Sequence, residues 1–445
     1  MSSLLDACAA VAARLSETPS NERSAGEAPG PLSVLYGGAQ LFGDASFAKL
    51  GALAAKTFET YVQTAHDMRE APGLPLEDEL ALDVRARVAD KLRTSPLEDV
   101  RIDFEDGYGV RSEEDEDRDA DRVGAVLAKG QPGTPRFCGI RTKAFDTKTG
   151  ARAARTLARV FERLDARTLP ETFSVTLPKV RTAEEVARFC DMLDLAERAA
   201  SLPEGRVRLE LMIETPDAVV DEDGALALPK LVRAGRGRVD SVHLGAYDLL
   251  SLAGVAANAQ SLENPLYTHV RALLALSART RGVRLVDGAT TRLPLPLHKG
   301  ETLADTQRTE NALHVRAALS AHAKNVTSAL AYGLHQGWDL HPAQLCARYS
   351  AVGAFYTEAL AASKARLSSF VDRAARATAS GQTFDDAATA QGLVVFFARG
   401  LASGLLRASD LDGSGLVPAE LDALRLADFA ALVARRESDQ AHARG

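Results

Sequence analysis

Glu214 and Asp248 close two neighbouring β-rich runs, VRLELMIET (207–215) and VDSVHLGAYD (239–248). On consecutive strands of one sheet they would lie side by side and could share one divalent ion. Hard oxygen donors with few histidines nearby favour Mg²⁺, or Mn²⁺, over zinc, with waters and substrate oxygens completing the shell. Arg141, near the end of RFCGIRT (136–142), is a planar donor suited to a carboxylate or a developing enolate oxygen. Lys179 closes FSVTLPK (173–179). DVRIDFED (99–106) ends in Asp103, Glu105 and Asp106, three carboxylates crowded into four residues. Unpaired charge is costly near a core, so this crowding calls for a cation or for exposure at the mouth of a fold. Acting together, these groups would stabilise negative charge as it develops on a carbonyl.

Taken singly, each residue has a plainer reading. A glutamate after an apolar strand is commonly a solvated strand end, and Asp248 could cap a helix starting at Leu249. Arg141 could lie on the surface, and Lys179 could lay its stem along apolar surface with its head in water. His341, in DLHPAQL, suits a strand end structurally. The acidic run RSEEDEDRDADR (111–122) reads as the solvated first turn of a helix. What sets the candidates apart is that they recur at successive strand ends.

The elements that would position them alternate along the chain. Strand patterns occupy 33–38, 99–106, 136–142, 173–179, 207–215, 239–248, 283–290 and 333–342, with helix-period segments between them. Eight strands alternating with helices predict a parallel sheet, and eight closes a TIM (β/α)8 barrel whose chemistry sits at the C-terminal strand ends. A doubly wound open sheet is the competing topology. About sixty residues separate the first two strands, so a helical insertion (45–66 and 79–95) is expected after strand one. The expected division is an N-terminal helix and linker over 1–30, a catalytic barrel over 31–350, and a helical C-terminal region over 351–445. That last region is expected to pack near the barrel mouth.

Composition narrows the function. The 445 residues are 46% hydrophobic and 25% charged, with a net charge of -7, which gives no electrostatic support for nucleic-acid binding. Cys8, Cys138, Cys190 and Cys346 are far apart and form no CxxC, which fits a reducing cytoplasm. The start, MSSLLDACAAVAARLSE, reads as a short amphipathic helix and not a signal peptide, and GLVVFFARGLASGLL is too short and too charged to span a bilayer. DLDGSGLVPAEL (410–421) imitates a calcium loop, but Leu421 stands where the bidentate acid belongs.

With these residues in place, the chain resembles the HpcH/HpaI aldolase and citrate lyase beta-subunit family, which includes malyl-coenzyme A lyases. The similarity lies in IDFEDGYG, TLPKV, LMIETPDAV, HLGAYDLLSLAG and GWDLHPAQL, in the same order over roughly 33–350. The resemblance implies a TIM barrel in which Glu214 and Asp248 bind Mg²⁺ and Arg141 holds substrate carboxylate or enolate oxygens. Glu105 and Asp106 would orient metal-bound water and substrate, with Lys179 as a further catalytic candidate. The implied activity is a carbon–carbon lyase or aldolase reaction through a metal-stabilised enolate, on a 2-oxo acid or hydroxyacyl-coenzyme A. A malate-synthase-like Claisen condensing enzyme is the enzymatic alternative, and a non-catalytic binding protein on the same barrel the other. A small carboxylate or acyl-coenzyme A partner, no nucleic-acid or membrane partner, and a trimeric or hexameric homo-oligomer are expected. Three departures stand against this pattern. They are the insertion and the long tail, the strand-seven sequence VDGATTRLPLPLH, and the lack of a match for the acid/base residue that family members supply from a lid.

Overall fold

A computed structural model describes residues 30–300, 302–380 and 387–421, with side chains described outside 371–391 and 420. The expected N-terminal helix therefore lies outside the described residues, as does the end of the C-terminal region. Eight parallel strands follow one another around the sheet: β1 Ser33–Gly38, β2 Asp99–Asp103, β3 Phe137–Arg141, β4 Thr172–Leu177, β5 Val207–Ile213, β6 Val239–Leu244, β7 Arg284–Val286 and β8 Gly337–Asp339. β8 pairs with β1, and a parallel bridge between Asp287 and Gly337 joins it to the end of β7. That bridge consists of Asp287 N–H to Gln336 O at 3.1 Å and Trp338 N–H to Asp287 O at 3.0 Å. The sheet is thereby closed, and the fold is a TIM (β/α)8 barrel; the open-sheet alternative is excluded.

β2 shows why these residues make such strands. All five of its residues are buried. Val100 and Ile102 join the large apolar cluster between sheet and helices, while Asp99, Arg101 and Asp103 alternate with them on the inner face. The interior itself holds only a small apolar group, Val34, Tyr36, Met212 and Val286 with Trp338 against them. The rest of the lumen is polar, which is what gives the barrel a chemical axis.

Between β1 and β2 the expected insertion forms three helices, Ser46–Tyr61, Ala65–Glu70 and Asp78–Thr94. The helix Gln344–Ser380 starts at the mouth, where Gln344 Nε2 donates to Thr290 O at 2.8 Å. Running antiparallel to β8 and about 55 Å long at 1.5 Å per residue, it overshoots the barrel and leaves at the base. The chain returns as Ala387–Ala402, whose Phe396 packs on Phe355 and Tyr356, and Tyr356 Oη lies 3.2 Å from His335 Nδ1 just before β8. The described part of the C-terminal region therefore packs at the N-terminal strand ends. For these described residues, the expectation of packing near the mouth is corrected. Asp410, first residue of the calcium-loop imitation, is engaged by Arg87 at 2.6 and 3.0 Å.

Candidate active site

The C-terminal ends of β2 to β6 bring Arg141, Glu105, Asp106, Lys179, Glu214 and Asp248 to one mouth. Asp103 organises the first side of it. Its carboxylate accepts from Arg141 Nε at 2.7 Å and Nη2 at 2.5 Å, and also from the backbone N–H of Glu105 (2.9 Å) and Gly107 (2.7 Å). A Cβ at Gly107 would stand 2.6 Å from Asp103 Oδ2, so glycine is needed for the loop to fold back onto this carboxylate.

Arg141 is buried and clasped by Asp103, with its guanidinium 5.1 Å from the Tyr36 ring and 5.3 Å from the Trp338 ring. Burial opposes its charge, but Asp103 and Glu105 outweigh that and hold its proton more firmly than usual. One edge of the fork is thus already used. Nη1 points toward the mouth, 3.0 Å from Glu105 and 3.7 Å from Asp106. The planar donor expected to hold a substrate carboxylate is therefore engaged along its Nε–Nη2 edge by Asp103, and Nη1, which also donates to Met212 Sδ at 3.5 Å, is the nitrogen nearest the mouth acids.

On the other side Glu214 is buried at the end of β5, and burial raises its carboxyl to about 8, with Lys179 opposing and Glu105 adding to the rise. It accepts from the backbone N–H of Lys179 at 2.7 Å. Gly245 permits its packing, because a Cβ there would lie 2.4 Å from Glu214 Cβ and 2.5 Å from Oε2. Asp248 sits in the first turn of the helix Ala246–Leu252, three residues past that glycine. The plainer reading, a cap for a helix starting at Leu249, does not hold, since the helix starts earlier and its N-cap is Gly245.

Lys179 joins the two sides. Its backbone adopts φ 52°, an uncommon left-handed conformation for a non-glycine residue, of the kind found where a site is held under constraint. Its Nζ lies 2.9 Å from Asp248, 3.0 Å from Glu105, 3.8 Å from Asp106 and 3.9 Å from Glu214. Burial opposes the ammonium, but these carboxylates prevail and raise its proton affinity. It is therefore a charged group here, not a neutral amine nucleophile. Glu105 is raised above the usual carboxylate range, by burial first, with Arg141 lowering it and Asp106 raising it.

Other polar residues near the strand ends are engaged elsewhere. Asp287 accepts from Tyr267 Oη at 2.6 Å and Arg271 Nη1 at 3.0 Å, which fixes the helix Pro265–Arg279 to the barrel. His341 Nδ1 accepts from Ala343 N–H at 3.1 Å, a turn contact. In the acidic run before and within the helix Glu113–Lys129, Glu116 and Asp119 are buried and bonded to Thr156 and Tyr108, so that run is not solvated throughout.

Beneath the mouth lies a layer that the sequence reading did not single out. Arg101, Asp99 and Glu210 have no exposed surface. Arg101 Nε donates to Glu210 at 2.6 Å and its Nη groups bond both acids. Thr176 (2.7 Å) and Ser241 (2.9 Å) complete Glu210, and Tyr36 Oη stands 3.0 Å from His243 Nδ1. The available signal was the alternation D-V-R-I-D in a strand covered on both faces.

The donors at the mouth fit a divalent ion of the Mg²⁺ kind. They are oxygens only, Glu214 is a desolvated carboxylate whose burial its neighbours offset only in part, and one cationic nitrogen already lies within 3.9 Å of both Glu214 and Asp248. Among the described residues, no group of three or more His, Cys, Asp or Glu is arranged to hold a metal, so the protein would supply two carboxylates and leave the other positions open. A cavity of about 860 Å³ is found elsewhere, at the base, lined by Phe47, Phe58, Pro96 and Phe137 among others. It shares no residue with this site.

Residues 16–429 match the family described as "Domain of unknown function (DUF6986)", and the chain belongs to it. No curated protein matches the chain. Among solved structures it is similar to a citrate lyase from Burkholderia xenovorans LB400, at 18% identity over 74% of this chain and 92% of that one, TM-score 0.49. It is also similar to CitE from Mycobacterium tuberculosis in complex with magnesium, acetoacetate and coenzyme A, at 17% identity over 85% and 99%, TM-score 0.46. A third similar structure is the citrate lyase beta subunit from M. tuberculosis complexed with oxaloacetate and magnesium, at 16% identity over 73% and 98%, TM-score 0.40. No helix among the described residues is long and apolar enough to cross a membrane.

Proposed function

We propose that the protein is a Mg²⁺-dependent carbon–carbon lyase of the aldolase and citrate lyase kind, acting on a 2-oxo acid or hydroxyacyl-coenzyme A. The observation that carries this reading is the imbalance at the mouth. Five carboxylates (Asp103, Glu105, Asp106, Glu214, Asp248) face two cations, Arg141 and Lys179. Glu214 and Asp248 would hold the ion, which when bound supplies a Lewis acid that lowers the cost of negative charge on a carbonyl oxygen.

The chain's own groups do the rest. Asp103 holds Arg141 at two points, so the guanidinium cannot turn away, and Nη1 is presented to an incoming carboxylate or carbonyl oxygen. Tyr36 and Trp338 beside that guanidinium exclude water from its inner side and strengthen its field toward the mouth. Glu105, buried between Arg141 and Lys179, keeps both cations oriented. Asp106 is the exposed acid of the cluster, placed to meet the substrate first.

The test is a panel of 2-oxo acids and hydroxyacyl-coenzyme A thioesters, following release of pyruvate, oxaloacetate, glyoxylate or acetyl-coenzyme A. Turnover should require Mg²⁺ or Mn²⁺, cease in chelator, and fall by about a hundredfold or more in Glu214→Gln. Full turnover in excess chelator would refute the reading.

A further inference from the structure

We infer that the Lys179 ammonium is an internal counter-ion that occupies the position of the divalent ion and must leave it for that ion to bind. The inference rests on the metal reading above and adds a competitor inside the site. Four carboxylates converge on one nitrogen, at 2.9 Å (Asp248), 3.0 Å (Glu105), 3.8 Å (Asp106) and 3.9 Å (Glu214). Glu214 and Asp248 cannot close on a dication while the ammonium stands between them, since two cations at that distance repel strongly.

The geometry also shows how it can leave. The main chain of Lys179 is fixed by its left-handed φ and by its N–H on Glu214 Oε1 at 2.7 Å. The side chain is 37% exposed, so its four-carbon stem can swing into solvent without any backbone movement. The same residue therefore holds Glu214 through its backbone in both states and neutralises the cluster through its side chain in one. Without metal, the ammonium keeps mutually repelling acids together. With metal, it becomes a free cation at the mouth.

Calorimetric titration of the full chain with MgCl₂ tests this, comparing wild type, Lys179→Met, Lys179→Arg and Glu214→Gln. Lys179→Met keeps the stem and loses the charge, and should bind Mg²⁺ about tenfold tighter or more. Lys179→Arg should stay near wild type, and Glu214→Gln should lose binding. If wild type binds Mg²⁺ and Lys179→Met binds it equally or less well, the ammonium is no competitor and the inference fails while the metal site stands. If neither wild type nor Lys179→Met binds, the metal reading itself fails. Amine labelling of the wild type decides the matter should Lys179→Met not fold. Reductive methylation of Lys179, read by mass spectrometry, should rise severalfold on adding Mg²⁺, and an unchanged or lower yield overturns the inference.

Discussion

At the level of Arg101, the barrel interior holds two carboxylates and one guanidinium with no exposed surface, and every acid oxygen has a partner from Arg101, Thr176, Ser241 or Gln336. Burial pushes both carboxyls up; Arg101 and His243 reverse this for Glu210 and hold it well below the usual range, while Asp99 stays raised by burial despite Arg101. At the mouth above, Glu214 is also buried but ends near 8, because Lys179 and Arg141 do not offset its desolvation, to which Glu105 and Asp248 add. The two layers use the same residue types. Where every charge has a fixed partner, the layer is structural. Where a buried acid oxygen such as Glu105 Oε2 has no hydrogen-bond partner, the layer is the one proposed to take a cation from outside.

The largest effect should come from breaking the inner layer. Arg101→Met strands Asp99 and Glu210 as buried uncompensated acids, at a cost of about 3–5 kcal/mol. Urea denaturation should show that loss; a change below about 1 kcal/mol would mean the layer is not structural.

Arg141→Lys sharpens the contrast from the mouth. Lysine keeps the charge but loses the two-point clasp with Asp103, so the remaining cation is no longer immobilised. With the substrate found by the panel assay, kcat/KM should fall about a hundredfold, with a smaller loss of stability than in Arg101→Met. Wild-type kinetics would place Arg141 with the structural charges.

The base offers a smaller, pH-dependent effect. Burial, aided by Arg399 and Arg279, pushes His335 down to about 3 from the ordinary 6.5. A depressed folded-state value means the unfolded chain binds the proton first. The stability present above pH 6.5 is therefore lost as pH falls toward 3. The ring is only half-buried, so the total should be on the order of 1 kcal/mol. His335→Phe should flatten the melting temperature between pH 6.5 and 4; an identical slope in the variant would remove His335 from the account.

The sequence showed the eight strands and their order because β-rich runs and helical periods alternate without interruption. It also showed the mouth, because strand ends followed by polar residues mark a rim. Three things were hidden for physical reasons. Glu210, in VRLELMIET, looks like an outward polar residue, since alternation cannot tell a solvated face from a polar lumen. Asp103 was seen as one acid among three, although its pairing with Arg141 follows from adjacent strands in register. The end of the barrel that the tail reaches is not legible either, because a helical pattern does not show where the helix travels, and 37 residues carry the chain past the base.

At the centre stands the proposed cation site at the mouth, built around Glu214 and Asp248. Anomalous diffraction from crystals soaked in Mn²⁺ measures this without needing a substrate. The predicted result is a peak in contact with both carboxylates, with the Lys179 ammonium moved out from between them. Density with Lys179 still bridging Asp248 and Glu105, and no anomalous peak at the mouth, would contradict it.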